Sequence, residues 1–298
     1  MAKKLKIGIV GMSEGNGHPY SWSAIFNGYQ PEAMKNCPFP GIPAYLEKQN
    51  FPEDYLGHLG TVTHIWTQDK EKSRHIAQAA KIENVDDAME DMIGKVNAVL
   101  LARDDAKNHL QYVSPFLKAG LPVFVDKPFA IEVSDAKEML KRRRFESQIF
   151  TCSSIKYANE LYLTEKERDD LGEIEFVEAG ISKAWETYAI HVLDPMVSQL
   201  PGRGELQTVK TIKNGEIHLT LIGWENVNAY IKLTGTIETP PYLTFYGKKT
   251  NITKKFYDAY SCFKNSLLHF VNQVNNKQLL IPTEETLELV KILEWGKK

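Results

Sequence analysis

Four short apolar runs, each followed by a helical pattern, constrain the first half of this chain more than any other feature. Leu5 to Val10 (LKIGIV), Thr61 to Thr67 (TVTHIWT), Val96 to Ala102 (VNAVLLA) and Pro122 to Val125 (PVFV) read as buried strands. Helical patterns follow the first through about Asn27, the second across Lys72, Arg74, Ile76 and Ala79, and the third from Asn108 to Ala119, where Gly120 stops it. A fourth spans Asp135 to Arg144, with Ser134 as its expected cap. This alternation predicts a doubly wound parallel sheet of Rossmann type, with helices on both faces. Ligands bind such a sheet at its carboxyl edge, so the residues ending each strand are the candidates for function.

The first strand leads into Gly11-Met12-Ser13-Glu14-Gly15-Asn16-Gly17, and Pro19 suits the first turn of the next helix. Free N–H groups at a helix start bind anions, which suits a dinucleotide pyrophosphate. Ser13 stands where a GxGxxG fingerprint has its second glycine, and Gly15 and Gly17 extend the loop. Gly11, Ser13 and Gly15 are therefore the candidate phosphate residues. Thr67 ends the second strand and Asp69 follows two residues later, where an acid would accept from the adenosine ribose. Lys70 and Arg74 could face a 2′-phosphate or equally be a solvated helix face, which leaves NAD or NADP open. Arg103-Asp104-Asp105 ends the third strand, and Asp126-Lys127-Pro128 ends the fourth. Pro128 has no N–H to continue a central ladder. Lys127 is thus held at a strand end, either snorkelling to solvent or presented to a ligand.

Gln30 to Gly60 fits the alternation poorly and holds Pro31, Pro38, Pro40, Pro43 and Pro52. It joins a helix end to a strand start, so its anchors lie opposite the ligand edge; an oligomer contact or plain elaboration is expected there rather than a lid. Gln148 to Lys156 reads as a strand, and after Gly172 the texture changes to long strands: Ile174 to Lys183, Leu206 to Ile212, Glu216 to Ile222, Val227 to Thr234 and Tyr242 to Tyr246. Asn214-Gly215 is a hairpin turn. The expectation is a mostly antiparallel, open-faced α+β sheet, closed by helices over about 257–275 and 283–295. Inside it lies a helix, Glu186 to Leu200, carrying His191 and Asp194 three residues apart on one face. The histidine is either satisfied by its helix neighbour or a general acid/base oriented by that carboxylate.

Composition excludes little and points nowhere else. With 36 basic and 38 acidic residues, nothing suggests a nucleic-acid or membrane partner. The KRRR run from Lys141 closes a helix, where cations oppose the negative end of its dipole. Cys37, Cys152 and Cys262 are widely spaced, without metal-ligand spacing, which favours a reduced, cytoplasmic protein. The amino terminus enters a strand directly, so no secretory signal is expected.

Taken together, IGIVG at Ile7 to Gly11, His109, AGLPVFVDKPFA at Ala119 to Ala130 and HVLD at His191 to Asp194 resemble the Gfo/Idh/MocA family of nicotinamide-dependent sugar and cyclitol dehydrogenases. The resemblance spans the chain and implies a dinucleotide domain over residues 1–127 and a substrate and oligomerisation domain over 128–298. It implies hydride transfer between NAD or NADP and a sugar, nucleotide sugar or related polyhydroxylated substrate, a CH–OH oxidoreduction. Lys127 and His191 would be catalytic. Gly11, Ser13, Gly15, Thr67, Asp69, Arg103, Asp104, Asp126 and Lys127 would meet the cofactor. Lys156 and Tyr157, where relatives often carry an arginine-aromatic pair, Tyr188 and Asp194 would meet the substrate; both tyrosines could equally be packing residues. A homo-oligomer, dimer or tetramer, built through the open sheet face is implied as well. The chain departs from the family at Thr187, where many relatives have a carboxylate, at Ala189 for a glycine, and at Arg103-Asp104-Asp105 for Thr-Pro-Asn. These departures keep a second expectation in play, a dinucleotide- or sugar-binding regulatory protein on the same scaffold.

Overall fold

In the computed structural model, which describes residues 4–297, the apolar runs become the core of a six-stranded parallel sheet. Its strands are β1 (Leu5–Val10), β2 (Gly60–Trp66), β3 (Asn84–Val85), β4 (Ala98–Leu101), β5 (Val123–Val125) and β6 (Ile149–Phe150). They lie in the order β3-β2-β1-β4-β5-β6. The order reverses between β1 and β4, so the residues leaving these two strands flank the crevice where such sheets bind ligands. Ile7, Ile9, Val99, Leu100 and all of β5 are fully buried. Each such side chain contributes about 1.5–3 kcal/mol. Consecutive residues of β5 point to opposite faces, so both faces of the sheet are covered.

Helix α1 (His18–Asn27) starts directly behind the glycine-rich turn. Its Trp22 stacks on Phe124 of β5 at 4.8 Å between ring centres, which fixes the helix start against the sheet. The proline-rich segment is not structureless: it forms α2 (Pro31–Met34) and α3 (Gly41–Leu46). Its middle also returns to the ligand edge, contrary to what its anchors suggest. A Cβ on Gly17 would lie 2.6 Å from Ile42 Cδ1 and 2.7 Å from the Phe39 ring, and the Tyr45 hydroxyl donates to Ser21 Oγ. α4 (Lys70–Ala79) and α5 (His109–Ala119) follow β2 and β4, and Gly120 ends α5 at φ 78°. α6 (Val133–Lys141) begins two residues earlier than the cap assignment requires, so Ser134 lies inside its first turn.

The chain divides into two units. One runs to Phe129 and includes Lys137–Thr151 and Phe263–Pro282; the other comprises Ala130–Ala136, Cys152–Cys262 and the chain from Thr283 onward. The strand expected over 148–156 is only the two residues of β6, because Cys152 and Ser153 leave the ladder and Ser154–Tyr157 turns as a single 3-10 coil.

In the second unit come α7 (Glu165–Leu171), β7 (Ile174–Ile181), α8 (Trp185–Tyr188), α9 (Ile190–Ser198), β8 (Leu206–Asn214), β9 (Ile217–Trp224), β10 (Asn228–Leu233), β11 (Tyr242–Gly247) and β12 (Asn251–Lys255). The sheet order is β12-β11-β7-β10-β9-β8, antiparallel except for β7 against β10. Helix α9 and α11 (Thr283–Gly296) lie on one face. The other face is open: Ile212 is 67% and Leu221 50% exposed, and Glu178 accepts from the Tyr242 hydroxyl at 2.6 Å. The long helix α10 (Ala259–Asn276) precedes α11.

Helix α7 carries a reciprocal cap. Thr164 Oγ1 accepts the Glu167 N–H, and the Glu167 carboxylate accepts the Thr164 N–H and both Lys254 contacts at 2.7 and 2.8 Å. The Lys254 ammonium first, and the Thr164 N–H next, hold the Glu167 carboxyl down at about 2. An acid depressed in the folded state contributes stability above its ordinary value of 4.5, lost as pH falls towards about 2. Urea midpoints of the Glu167→Gln protein should therefore fall less steeply with acid across that window than those of the parent. Parallel curves would refute this.

Candidate active site

The turn after β1 is pinned from the neighbouring strands. Gln68, just beyond β2, accepts the Met12 N–H at 3.2 Å and donates to the Met12 carbonyl at 2.5 Å. Arg103, just beyond β4, reaches the same carbonyl at 3.3 Å and Gln68 Oε1 at 3.0 Å. Its guanidinium is bidentate on Asp105, at 2.9 and 2.6 Å, and lies over the Tyr112 ring at 4.2 Å. Burial works against the Asp105 charge, but Arg103 and Asn108 hold its carboxyl below the usual range. Arg103 therefore serves as a buried strut that fixes the turn.

With Met12 held, the N–H groups of Ser13, Glu14, Gly15 and Gly17 have no protein acceptor among the described residues. Gly15 has φ 76° and nothing within 4 Å of a would-be Cβ. A Cβ on Gly11 would sit 2.5 Å from Pro19 Cγ, so that glycine lets the helix start close on the strand. Several unspent N–H groups at the start of α1 fit a dinucleotide pyrophosphate. The Ser13 hydroxyl is already engaged, donating to the Asp104 carboxylate and accepting the Asp104 N–H at 3.0 Å. Thr67 and Asp69 are also engaged. The Thr67 hydroxyl donates to the Asp69 carbonyl at 2.6 Å, and Asp69 caps α4 by accepting the Glu71 and Lys72 N–H groups. Lys70 pairs with Asp87, and Arg74 with Glu71.

Lys127 leaves β5 beside these groups. Its ammonium lies 3.3 Å from Asp104 and is only 6% exposed. Asp126, 1% exposed, accepts the Lys127 N–H at 2.8 Å through one oxygen. Through the other it meets Asn16 Nδ2 at 2.8 Å and His18 Nδ1 at 2.6 Å. Two carboxylates thus tie the lysine to the phosphate turn, one by its ammonium and one by its backbone. His109 is fully buried, with ring nitrogens 2.7 Å from the Arg103 carbonyl and 3.0 Å from that of Phe129, and it fastens the end of β4 to the segment after Pro128.

In the second unit His191 and Asp194 both lie on α9, but Asp194 does not take the role expected of it. His191 Nδ1 is 2.8 Å from Ser153 Oγ. The Asp194 carboxylate accepts the Ser153 N–H at 2.8 Å and the Lys156 ammonium at 2.9 Å. Ser153 thus stands between the two, and Asp194 acts on His191 through it. Lys156 is shared with Glu285 at 2.5 Å. Burial opposes its charge, but the two carboxylates outweigh it and hold the ammonium above its usual range. Burial and the nearby Glu285, against Lys156, leave the Asp194 carboxyl above its own. With its ammonium spent on two acids, Lys156 fixes the framework beneath His191. Burial likewise pushes the Tyr157 phenol up. Tyr188 sets its ring edge against His191 at 5.2 Å and accepts from Lys183 at 2.5 Å.

A cavity of about 680 Å³ in this unit is lined by Lys183, Trp185, Lys213, Glu216, His218 and Thr236, among others; His191, Asp194 and Lys156 do not line it. Its size does not make it the site, because the convergent polar chemistry lies elsewhere. Sequence reasoning missed Asn16, His18, Ser153 and Glu285. Only His18 carried a signal, as an imidazole at a helix start behind a glycine-rich turn.

Residues 5–153 match a family model described as an oxidoreductase family with an NAD-binding Rossmann fold. No curated protein matches the chain significantly. Similar solved structures include apo scyllo-inositol dehydrogenase from Lactobacillus casei, with TM-score 0.73 and 14% identity over 100% of this chain and 96% of that one. UDP-N-acetylglucosamine 3-dehydrogenase GnnA from Acidithiobacillus ferrooxidans has TM-score 0.71 and 9% identity over 98% and 96%. GenD2 from gentamicin A biosynthesis, in complex with NAD, has TM-score 0.72 and 12% identity over 99% and 93%. At these identities the likeness is one of fold. No helix among the described residues is long and apolar enough to cross a membrane.

Proposed function

The chain belongs to the GFO/IDH/MocA family of NAD-binding oxidoreductases, and from that premise we propose that it moves hydride between nicotinamide and a CH–OH carbon of a sugar, nucleotide sugar or related polyhydroxylated substrate. The observation that carries the reading is Lys127, buried at the carboxyl end of β5 with its ammonium on Asp104 and its backbone on Asp126. NAD, when bound, supplies the hydride acceptor or donor. Gly11, Ser13 and Gly15 would hold its pyrophosphate, with Arg103 fixing their turn and Asp104 and Asp126 placing Lys127. Thr67 and Asp69 are the residues proposed for the adenosine ribose, and Asp69 would reach it through the carboxylate oxygen not capping α4.

Oxidising an alcohol also requires its proton to leave. Lys127 would stabilise the developing alkoxide with its positive charge, and His191, oriented by Ser153, would take or return the proton. Tyr157 and Tyr188 are proposed to meet the substrate, while Lys156 and Asp194 support that role from beneath. The exposed Ile212 and Leu221 support assembly of a dimer or tetramer through the open sheet face. A monomeric mass by light scattering would remove that part. The burial of Cys37, Cys152 and Cys262 is consistent with the reducing, cytoplasmic setting proposed for the chain.

The test is to incubate the purified protein with NAD or NADP and a panel of sugars, nucleotide sugars, cyclitols and sugar acids while following nicotinamide absorbance. Turnover with a member of the panel is the expected result. Binding of dinucleotide without turnover would favour the regulatory reading, which rests on Asp104 occupying both Ser13 and Lys127. Failure to bind either dinucleotide would overturn both readings.

A further inference from the structure

We propose that His18 is a cofactor ligand, its imidazole Nε2 donating to the pyrophosphate of the bound dinucleotide while Asp126 holds Nδ1. The proposal rests on the dinucleotide site described above and adds to it a residue that no glycine fingerprint contains. Three contacts fix the ring. Nδ1 lies 2.6 Å from Asp126, one face stacks on Trp22 at 4.7 Å and 12°, and Phe263 meets it edge-on at 5.1 Å. The backbone is fixed as well, since the His18 N–H donates to Asn16 Oδ1 at 2.8 Å. Among the described residues Nε2 has no protein partner and is not one of the enclosed unpaired polar atoms, so it opens to solvent. His18 is the first residue of α1, directly after the row of free N–H groups. An oriented ring whose one unspent atom opens beside that row is suited to bind an anionic oxygen.

Charge supports the same assignment. Burial alone would push the Asp126 carboxyl up, but His18, Lys127 and Asn16 hold it below its usual range. A buried anion therefore lies close to where a pyrophosphate would dock, and Lys127 is already engaged by Asp104. The His18 ring is the group placed to hold Asp126 through one nitrogen and face the phosphates with the other. A charge-assisted hydrogen bond to phosphate is the expected contact. The charged groups around the ring are Asp126 and, beyond it, Lys127 and Asp104; Asn16, Trp22 and Phe263 bring no charge.

The test is equilibrium binding of NADH and of ADP-ribose to the wild-type and His18→Asn proteins. Asparagine can still donate to Asp126 but places nothing at the Nε2 position. Both ligands should bind the variant about 10-fold to 100-fold more weakly, the usual range for losing a hydrogen bond to a charged group. Affinities within twofold for both ligands would overturn the proposal. So would a loss confined to NADH, since ADP-ribose carries the pyrophosphate without nicotinamide. If the variant does not fold, the assigned His18 ring signals of the wild-type protein decide: they should shift when ADP-ribose is added, and no shift overturns the proposal. Wild-type protein that binds no dinucleotide would instead defeat the dinucleotide reading itself, so the two failures are distinguishable.

Discussion

Replacing Lys127 by alanine should lower the rate of hydride transfer by about 10²- to 10⁴-fold, the range general acid–base and charge-stabilising groups supply, while NADH still binds. The substitution removes an ammonium held between the end of β5 and the phosphate turn. It leaves Asp126 bonded to Asn16, His18 and the backbone N–H of residue 127, so the strand end keeps its place. Asp104 loses a cation but is 20% exposed and keeps Ser13. Its charge is only partly solvated, so the stability cost should be about 1–3 kcal/mol, the range for a buried polar group that loses one partner. Single-turnover mixing with the best substrate of the panel checks the rate, and nicotinamide fluorescence checks binding. Turnover within threefold of the parent would remove Lys127 from the chemistry. His191→Ala should show a comparable loss of rate, because that residue, held by Ser153, is the one proposed to take or return the proton.

The doubly wound sheet was legible because buried parallel strands are written as uninterrupted apolar runs, and each of these is closed by a turn residue or a polar stop. Lys127 was legible for the same reason: Pro128 ends the strand, and the strand end is the ligand edge. Asp69 shows how one residue can carry two signals. An acid just after β2 suits a ribose, but an aspartate with Glu71 in the first turn behind it also marks a helix start, and local capping is the role seen. The open-faced sheet was legible as strands and one hairpin, except for β12, whose NITKK is too exposed and too charged to show a period. The return of the proline-rich segment to Gly17 could not be read, because it depends on Phe39 and Ile42 finding a position that only a glycine leaves free. Nor could the partner of His191. Asp194 is its neighbour along the helix, whereas Ser153 lies 38 residues away and reaches it only through the fold.

Lys156 illustrates the same limit most sharply and carries the largest expected loss of stability. In sequence it is an ordinary lysine beside a tyrosine, yet its side chain is 9% exposed and its ammonium joins Asp194 and Glu285. Lys156→Met should cost about 3–5 kcal/mol, because it strands two carboxylates in a site built around one cation. The sign of the pH dependence follows. Burial already raises the Asp194 carboxyl against the pull of Lys156, so without the ammonium it is raised further and the folded state binds more protons than the unfolded chain; the deficit should shrink as pH is lowered from about 8 to about 5. Denaturant unfolding followed by tryptophan fluorescence at the two pH values checks both statements. Adding Asp194→Asn and Glu285→Gln to Lys156→Met should restore most of the lost stability, since removing every charge of a buried network is far milder than removing one. If Lys156→Met alone cost less than about 1 kcal/mol, the level expected of an exposed pair, Lys156 would be free enough to contact substrate, and its assignment as framework would fall. The framework reading also separates the kinetic outcomes: at a temperature where the variant remains folded, a support beneath His191 changes the rate of proton transfer more than it changes substrate affinity.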